Sequence, residues 1–149
     1  MSIAIGSDHG GVQLKEAIKQ YFTDNQIDFF DFGARQGESV DYPDIAKTVA
    51  LAVAKGTYGR GIIICGTGIG VSISANKVRG IRAALCTDVY SAKMSREHND
   101  ANILTLGQRV TGTGLALMIV ETWLNTSFAG GRHERRVNKI GEIEQEQLR

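Results

Sequence analysis

Short apolar segments alternate with helical patterns along most of this chain. The apolar segments predict five strands, over residues 3–6, 27–33, 61–65, 82–86 and 103–107. Apolar residues at three- or four-residue spacing predict helices after them, over residues 12–24, 45–55, 71–77, 89–98 and 115–124. Strands that alternate with helices favour a parallel sheet with helices on both faces. The alternation therefore predicts a doubly wound α/β domain.

The C-terminal segment adds one more predicted helix, over residues 134–147. Val137, Ile140 and Ile143 form a narrow apolar stripe on it, so we expect this helix to pack on a partner subunit. No linker or low-complexity stretch interrupts the chain, and 149 residues are a common size for one domain. We therefore expect a single domain over residues 1–149.

Charge and composition argue against several classes of partner. Seventeen basic and sixteen acidic residues give a formal net charge of +1, which provides no electrostatic reason to expect binding to nucleic acid or a membrane surface. No apolar run approaches the roughly 20 residues of a membrane span, and the first residues begin a strand rather than a signal peptide. Cys65 and Cys86 form no CxxC pair, which favours free thiols in a reducing compartment and argues against structural zinc. We expect a cytoplasmic protein.

A thiol stands where the third predicted strand runs into a glycine-rich turn. Cys65 is followed by Gly66, Gly68 and Gly70. Open α/β sheets bind ligands at the carboxyl ends of their strands, so this turn is a candidate active site. Two other interpretations stay open at this point. One is a dinucleotide-binding turn, although Val71 stands where its third glycine belongs, and the other is an ordinary turn beside a buried thiol.

Polar side chains also follow the first two predicted strands and the fourth predicted helix. Asp8 and His9 follow the first strand and Tyr42 follows the second, so we expect them at the same end of the sheet as Cys65. Asp8 has the alternative role of capping the first helix. His98 stands at the end of the fourth helix, where the negative end of the helix dipole favours a protonated imidazole that can act as a general acid. A capping or surface histidine is the alternative.

Two arginines stand near the start of the last predicted helix. Arg132 and Arg136 are four residues apart, so both guanidinium groups project from one helix face and could grip one phosphate. The alternative is a solvated charged face, since Glu134 and Arg135 stand between them.

Six short motifs follow one another along the whole chain: Asp8-His9-Gly10-Gly11, Asp41-Tyr42-Pro43, Cys65-Gly66-Thr67-Gly68-Ile69-Gly70, Ala75-Asn76-Lys77, His98-Asn99-Asp100-Ala101-Asn102 and Gly130-Gly131-Arg132-His133. In order and spacing they resemble the ribose-5-phosphate isomerase B family, which also includes the galactose-6-phosphate isomerase subunits. The resemblance implies a Rossmann-like three-layer α/β/α fold with a five-stranded parallel sheet and an additional C-terminal helix. It also implies a phosphorylated sugar as substrate, a homodimer or tetramer with active sites shared between subunits, no metal and no organic cofactor.

The resemblance assigns chemical roles to the glycine-rich turn and to His98. Cys65 matches the catalytic base, which moves a proton between C2 and C1 of the sugar through an enediolate. The amides of Gly66, Gly68 and Gly70 would cradle the developing oxyanion. His98 matches the residue that opens the furanose ring, and Thr67 matches a contact to the ring oxygen or its hydroxyl.

The remaining matched positions bind phosphate or orient the sugar. The phosphate-binding positions are His9, Arg109, Arg132 and Arg136, and the sugar-contacting positions are Asp8, Tyr42 and Asn99. The family's pocket lies between two subunits, so His98, Asn99 and Arg109 are expected to serve the Cys65 of the other copy. His133 has two candidate roles, assisting the phosphate or packing.

The expected reaction is the interconversion of D-ribose 5-phosphate and D-ribulose 5-phosphate, a step of the non-oxidative pentose phosphate pathway. One alternative is an isomerase of galactose 6-phosphate or allose 6-phosphate, and another is a non-catalytic phosphosugar or nucleotide sensor, which would not need a thiol. Val71 stands where other family members carry a glutamate base, so we expect the cysteine type. Cys86 matches no family role and is expected to be structural.

Overall fold

The computed structural model describes residues 1–147, so Leu148 and Arg149 of the predicted domain lie outside the described residues. The strands are β1 (Ile3–Ser7), β2 (Phe29–Asp31), β3 (Arg60–Cys65), β4 (Ala83–Leu85) and β5 (Ile103–Gly107). The helices are α1 (Val12–Asp24), α2 (Tyr42–Ala54), α3 (Ile69–Ala75), α4 (Val89–Glu97), α5 (Thr113–Asn125) and α6 (Arg132–Glu146).

The five strands form one parallel sheet in the order β2-β1-β3-β5-β4. After β1 the chain adds β2 on one side and then returns to place β3 on the other side. Such a reversal leaves a crevice beyond the carboxyl ends of the two central strands, here β1 and β3. The crevice is where the predicted ligand-binding loops begin.

Alternation along the strands divides the core into two layers. Ile62 and Ile64 of β3 point into a cluster with side chains of α1, α4 and α5. Ile63 and Cys65 point to the opposite face, into a cluster with side chains of α2 and α3. The predicted three-layer α/β/α fold is therefore confirmed.

The element boundaries differ from the prediction mainly at the sides of the sheet and at helix starts. β2 and β4 each have three residues, because each lies at a side of the sheet and pairs with one neighbour only. α2 begins at Tyr42 because Asp41 is an extended N-cap and Pro43 fits the first turn of a helix. α6 forms as predicted, but none of its side chains is buried.

A parallel sheet has two chemically different ends. We call the end where the strands finish the carboxyl end and the end where they start the amino end. β3 has six residues, so the two ends are roughly 16 Å apart. A residue that follows a strand lies at the carboxyl end, and a residue that follows a crossover helix lies at the amino end.

Candidate active site

Cys65 ends β3 at the carboxyl end of the sheet and is buried against the α2 and α3 side. Its Sγ accepts a hydrogen bond from the backbone N–H of Gly68 at 3.0 Å. Its carbonyl oxygen accepts from the N–H of Gln108 at 2.9 Å, and the Gly66 carbonyl accepts from the N–H of Arg109 at 3.0 Å. The sulfur is thus held in one place and faces a donor that stabilises negative charge on it.

The helix after Cys65 begins earlier than predicted, and its start shapes the loop. Gly68 is its N-cap with a φ of 78°, a left-handed conformation that favours glycine. The carbonyl of Gly68 accepts a hydrogen bond from the buried Thr105 hydroxyl at 3.0 Å. Thr67 is exposed at the tip of the loop, and its Oγ1 accepts from the N–H of Ile69 at 3.2 Å. The Thr67 hydroxyl can still donate to a ligand.

Two glycines of the loop make room for neighbouring side chains, a role that the sequence analysis did not anticipate. A Cβ at Gly66 would lie 3.3 Å from Nη1 of Arg109, and a Cβ at Gly70 would lie 2.7 Å from the Tyr42 ring. The guanidinium group and the phenol therefore approach the loop backbone directly. Only tertiary packing shows this, because the two contacts join residues distant in sequence.

The loop after β1 lies against the Cys65 loop. The buried Asp8 carboxylate accepts the N–H of its own near neighbour Gly10 at 2.8 Å, and a Cβ at Gly10 would lie 3.3 Å from the N atom of Gly66. Gly11, without a side-chain cap, is the N-cap of α1, so the alternative role of Asp8 as its cap is wrong. The free N–H of Leu14 instead donates to Oε1 of Gln108 at 3.0 Å. Sequence reasoning missed Gln108, because this contact spans most of the chain.

His9 is exposed beside an open cavity of about 390 Å³ at the start of α1. Gln13, Glu16, Gln36 and Gln108 also line this cavity.

The carboxyl end of the sheet therefore gathers most of the predicted residues around Cys65. These are Asp8, His9, Tyr42, Gly66, Thr67, Gly68, Gly70 and Arg109.

His98 lies at the other end of the sheet. It is the C-cap of α4, with its N–H donating to the Met94 carbonyl at 2.9 Å. The next residues sit beside the start of the strands, because Nε of Arg82 donates to the Asn99 carbonyl at 3.0 Å and the N–H of Gly61 donates to the Asn102 carbonyl at 2.9 Å. His98 and Asn99 are consequently separated from the Cys65 of their own chain by the height of the sheet.

Two arginines fix the turn that carries His98 and Asn99. Asp100 has a φ of 47°, and its Oδ1 accepts from Nη1 of Arg96 at 2.8 Å. Its Oδ2 accepts from Nη2 of Arg82 at 3.2 Å. The Asp100 carboxylate thus ties α4 to the residue that precedes β4.

His133, in the first turn of α6, stacks on His98. The ring centroids are 4.1 Å apart and the ring planes differ by 8°. Partial burial, followed by electrostatic repulsion from His98, Arg132 and Arg136, lowers the pKa of His133. The two phosphate-binding candidates of α6 therefore accompany His98, whereas Arg109 does not lie with His98 and Asn99.

Cys86 behaves as a core residue rather than as part of either group. It is buried in the layer of α1, α4 and α5, and this burial raises the pKa of its thiol.

Within residues 1–147, no three His, Cys, Asp or Glu side chains are grouped so that they could hold a metal ion. Over the same range, none of the helices has the length and apolar character needed to cross a bilayer.

The fold and this site define an α/β enzyme domain with a polar, glycine-lined crevice at the switch point of its sheet. A model of the Ribose/Galactose Isomerase family matches residues 3–140. The chain therefore belongs to the Ribose/Galactose Isomerase family, and it is an aldose-ketose isomerase.

Individual relatives match over nearly their whole length. Ribose-5-phosphate isomerase B of Escherichia coli is 50% identical over 143 residues, which cover 96% of each chain. The structure of ribose-5-phosphate isomerase B from Clostridium thermocellum has a TM-score of 0.97 and 60% identity, covering 99% of each chain. A D-erythrulose-4-phosphate isomerase of Pectobacterium atrosepticum is 45% identical over 148 residues, covering 99% of this chain and 97% of the relative.

Proposed function

We propose that this protein interconverts D-ribose 5-phosphate and D-ribulose 5-phosphate. The observation that carries the proposal is the Cys65 sulfur, buried at the start of a glycine-rich loop and paired with the Gly68 N–H at 3.0 Å. A base held at a fixed point among backbone donors is what proton transfer next to a carbonyl requires. Two relatives that bear the name ribose-5-phosphate isomerase B, at 50% and 60% identity, support this substrate.

The reaction begins with ring opening, because the cyclic sugar has no carbonyl to acidify the proton on C2. His98 of one copy gives a proton to the ring oxygen while the anomeric hydroxyl gives its proton to solvent water, with Thr67 in contact with the ring oxygen or that hydroxyl. The bond between C1 and the ring oxygen breaks and an aldehyde remains. The thiolate of Cys65 then takes the C2 proton, and the C1 oxygen gains the negative charge. The C2 hydroxyl then passes its proton to the C1 oxygen, and Cys65 returns its own proton to C1. The product is the ketose, and no electrons are gained or lost overall.

The substrate is held at both of its ends. His9, Arg109, Arg132 and Arg136 bind the phosphate by charge-assisted hydrogen bonds. Asp8, Tyr42 and Asn99 contact the sugar hydroxyls, and the amides of Gly66, Gly68 and Gly70 stabilise the enediolate oxygen. Val71 is fully buried and apolar, so the base is of the cysteine type. No metal and no organic cofactor take part in this scheme.

Each complete site contains residues from two copies of the chain. Cys65 and His98 lie at opposite ends of a sheet roughly 16 Å high, too far apart to act on one five-carbon sugar. α6 carries Ile140 and Ile143 exposed at 46% and 61%, an apolar stripe that a second copy would cover. A homodimer, or a tetramer built from such dimers, brings the α6 and His98 of one copy to the other copy's Cys65.

Solvent-deuterium exchange tests the reaction itself. Ribulose 5-phosphate has no furanose form, because its C5 oxygen carries the phosphate, so exchange at its C1 reports proton transfer without ring chemistry. We expect the purified protein alone to convert ribose 5-phosphate and to exchange the C1 proton of ribulose 5-phosphate. A phosphosugar sensor would do neither, so a lack of both activities would overturn the proposal.

Mixed oligomers test the shared site. Cys65→Ala and His98→Asn are each expected to be inactive on ribose 5-phosphate, but a mixed dimer has one site with both native residues. Random reassociation of equal amounts should restore about a quarter of the wild-type activity, because half of the dimers are mixed and each has one good site in two. Sites built within one chain would give no restoration.

The length of the sugar is the specific point on which relatives differ. The Pectobacterium relative is named for a four-carbon phosphate, and six-carbon phosphates such as galactose 6-phosphate and allose 6-phosphate are the alternative for this chain. We expect kcat/KM to be highest for ribose 5-phosphate when the three lengths are compared. The two free cysteines favour a reducing compartment, so we place this activity in the cytoplasm.

A further inference from the structure

The stack of His98 and His133 is unusual within this chain. Among the aromatic pairs of residues 1–147, it alone has a stacked geometry, with centroids 4.1 Å apart and planes 8° from parallel. The other pairs are tilted or edge-on, the usual geometries of packed aromatic side chains. His98 and His133 are both half-buried, so their geometry is not imposed by a tightly filled interior.

The backbone brings α6 to His98. Gly130 and Gly131 have φ values of 65° and 54°, which turn the chain just before α6. The N–H of Ala129 donates to the Glu97 carbonyl at 3.0 Å, so the turn is anchored on the last residue of α4. The first turn of α6 is thereby placed directly over the C-cap of α4, where His98 stands.

Partial burial and the charges around His133 disfavour protonation of its ring. The groups that face it are His98 and Glu97 from α4 and Arg132 and Arg136 from α6. Partial burial lowers the pKa of His133, electrostatic repulsion from His98, Arg132 and Arg136 lowers it further, and Glu97 only partly opposes them. A second positive charge 4.1 Å from a protonated His98 is also disfavoured by direct repulsion. The neutral form of the His133 ring is therefore favoured.

We propose that His133 is a positioning residue for His98, whose ring-opening role comes from the proposed function. The neutral His133 ring covers one face of His98 and fixes the plane of its imidazole. The His98 nitrogens then exchange protons only along the ring edge, toward the sugar oxygen. His133 itself touches neither the sugar nor the phosphate in this role.

Two substitutions separate this role from simple packing. His133→Phe keeps a flat face, whereas His133→Ala removes it. We expect His133→Ala to lower kcat on ribose 5-phosphate about 10-fold with KM changed less than about 2-fold, as for a lost orienting contact. We expect His133→Phe to stay within about 3-fold of the wild type. Deuterium exchange at C1 of ribulose 5-phosphate, which needs no ring opening, should be unchanged in both variants.

A matched control and a measurement on the unaltered protein complete the test. Arg135→Ala changes an exposed side chain in the same turn of α6 and should leave both assays unchanged. In the wild type, NMR titration should show His133 protonating below the usual pH range of histidine, with nuclear Overhauser contacts between the two rings.

Several results would overturn the inference. A rise of KM with kcat unchanged in His133→Ala would make His133 a phosphate ligand, and equal losses in turnover and exchange would make it a general packing residue. Wild-type behaviour of His133→Ala would show that it has no role. If the wild-type protein itself neither turns over ribose 5-phosphate nor exchanges ribulose 5-phosphate, the proposed function fails, and this inference fails with it.

Discussion

The two ends of the sheet hold their candidate residues in different ways. At the carboxyl end, Cys65 is buried, and backbone N–H groups of Gly68 and Gln108 fix its sulfur and its carbonyl. At the amino end, His98 is half-buried and lies under the first turn of α6, a helix that buries none of its side chains. Cys65 is thus part of the core, whereas His98 lies closer to the surface.

This difference predicts different effects of substitution at the two ends of the sheet. A change near Cys65 acts on a packed region, so it disturbs neighbouring side chains as well as chemistry. A change at His98 acts on a half-buried side chain near the surface, so we expect it to reduce activity while the free energy of unfolding stays nearly constant.

Cys65→Ala should have the largest effect on catalysis. Loss of the base should lower both turnover of ribose 5-phosphate and C1 exchange of ribulose 5-phosphate by about 10³-fold or more. Steady-state kinetics and deuterium exchange measure the two losses. Cys86→Ala is the matched control at the other free thiol, with activity retained and stability reduced by about 1 kcal/mol. Substantial turnover by Cys65→Ala would exclude this thiol as the base.

His98→Asn should lower turnover of ribose 5-phosphate by about 100-fold, because ring opening loses its acid. Exchange at C1 of ribulose 5-phosphate should stay close to the wild-type rate, and the melting temperature should not change. His98→Asn should therefore lose only one of the two activities, whereas Cys65→Ala should lose both. Equal loss of turnover and exchange would place His98 in the proton transfer itself and would weaken the contrast between the two ends.

Gly70→Ala should reduce kcat/KM by about 10-fold, because a new Cβ would lie 2.7 Å from the Tyr42 ring and must displace it. Gly112→Ala is the matched control, since nothing lies within 4 Å of a Cβ there. Kinetics on ribose 5-phosphate for the two variants measure the difference. If both variants keep wild-type kcat/KM, the position of Tyr42 has no bearing on the sugar.

Asp31→Asn should affect stability rather than chemistry. The Asp31 carboxylate is partly buried, which opposes ionisation, but bonds from Lys15, Lys19 and the Gly33 N–H lower its pKa. Lys15 is itself buried and also donates to the Ala34 carbonyl at 2.6 Å, so the carboxylate supports the segment after β2. We expect a loss of about 1–2 kcal/mol at neutral pH, measured by urea unfolding.

The stabilisation that the Asp31 carboxylate provides depends on pH. Because the pKa of Asp31 is lowered in the folded state, its stabilisation is complete above the usual carboxyl range near pH 4. It is lost as the pH falls through the lowered folded value. The wild type should therefore lose stability in acid more steeply than Asp31→Asn, and parallel curves for the two proteins would show that Asp31 is not the group responsible.

Much of the fold was predictable because local patterns and tertiary structure agree here. The run from Gly61 to Cys65 is buried on both faces of the sheet, as its unbroken apolar character predicts. The short strands at the sides, β2 and β4, were predicted too long, because flanking residues such as Ile27 are apolar without pairing in the sheet. The position of β5 between β3 and β4 depends on packing between distant segments, and no local pattern encodes it.

The sequence also indicates that the candidate residues are divided between the two ends of the sheet. His98 follows a predicted helix rather than a strand, and in a parallel sheet such residues lie at the amino end. The order of strands and helices along the chain is therefore enough to separate His98 from Cys65. The stacking of His133 on His98 had no such signal, because it depends on how the turn at Gly130 and Gly131 aims α6.

In the proposed homodimer, the absence of buried side chains along α6 makes the order of this helix depend on the amount of protein present. A helix of 15 residues with no buried side chain is marginal in water, and a binding partner stabilises such an element in proportion to the logarithm of its own concentration. Upon dilution, α6 should fray while the sheet keeps its own core, and turnover per chain should fall before the domain unfolds. In a cell, the activity of each chain would then rise as the protein accumulates.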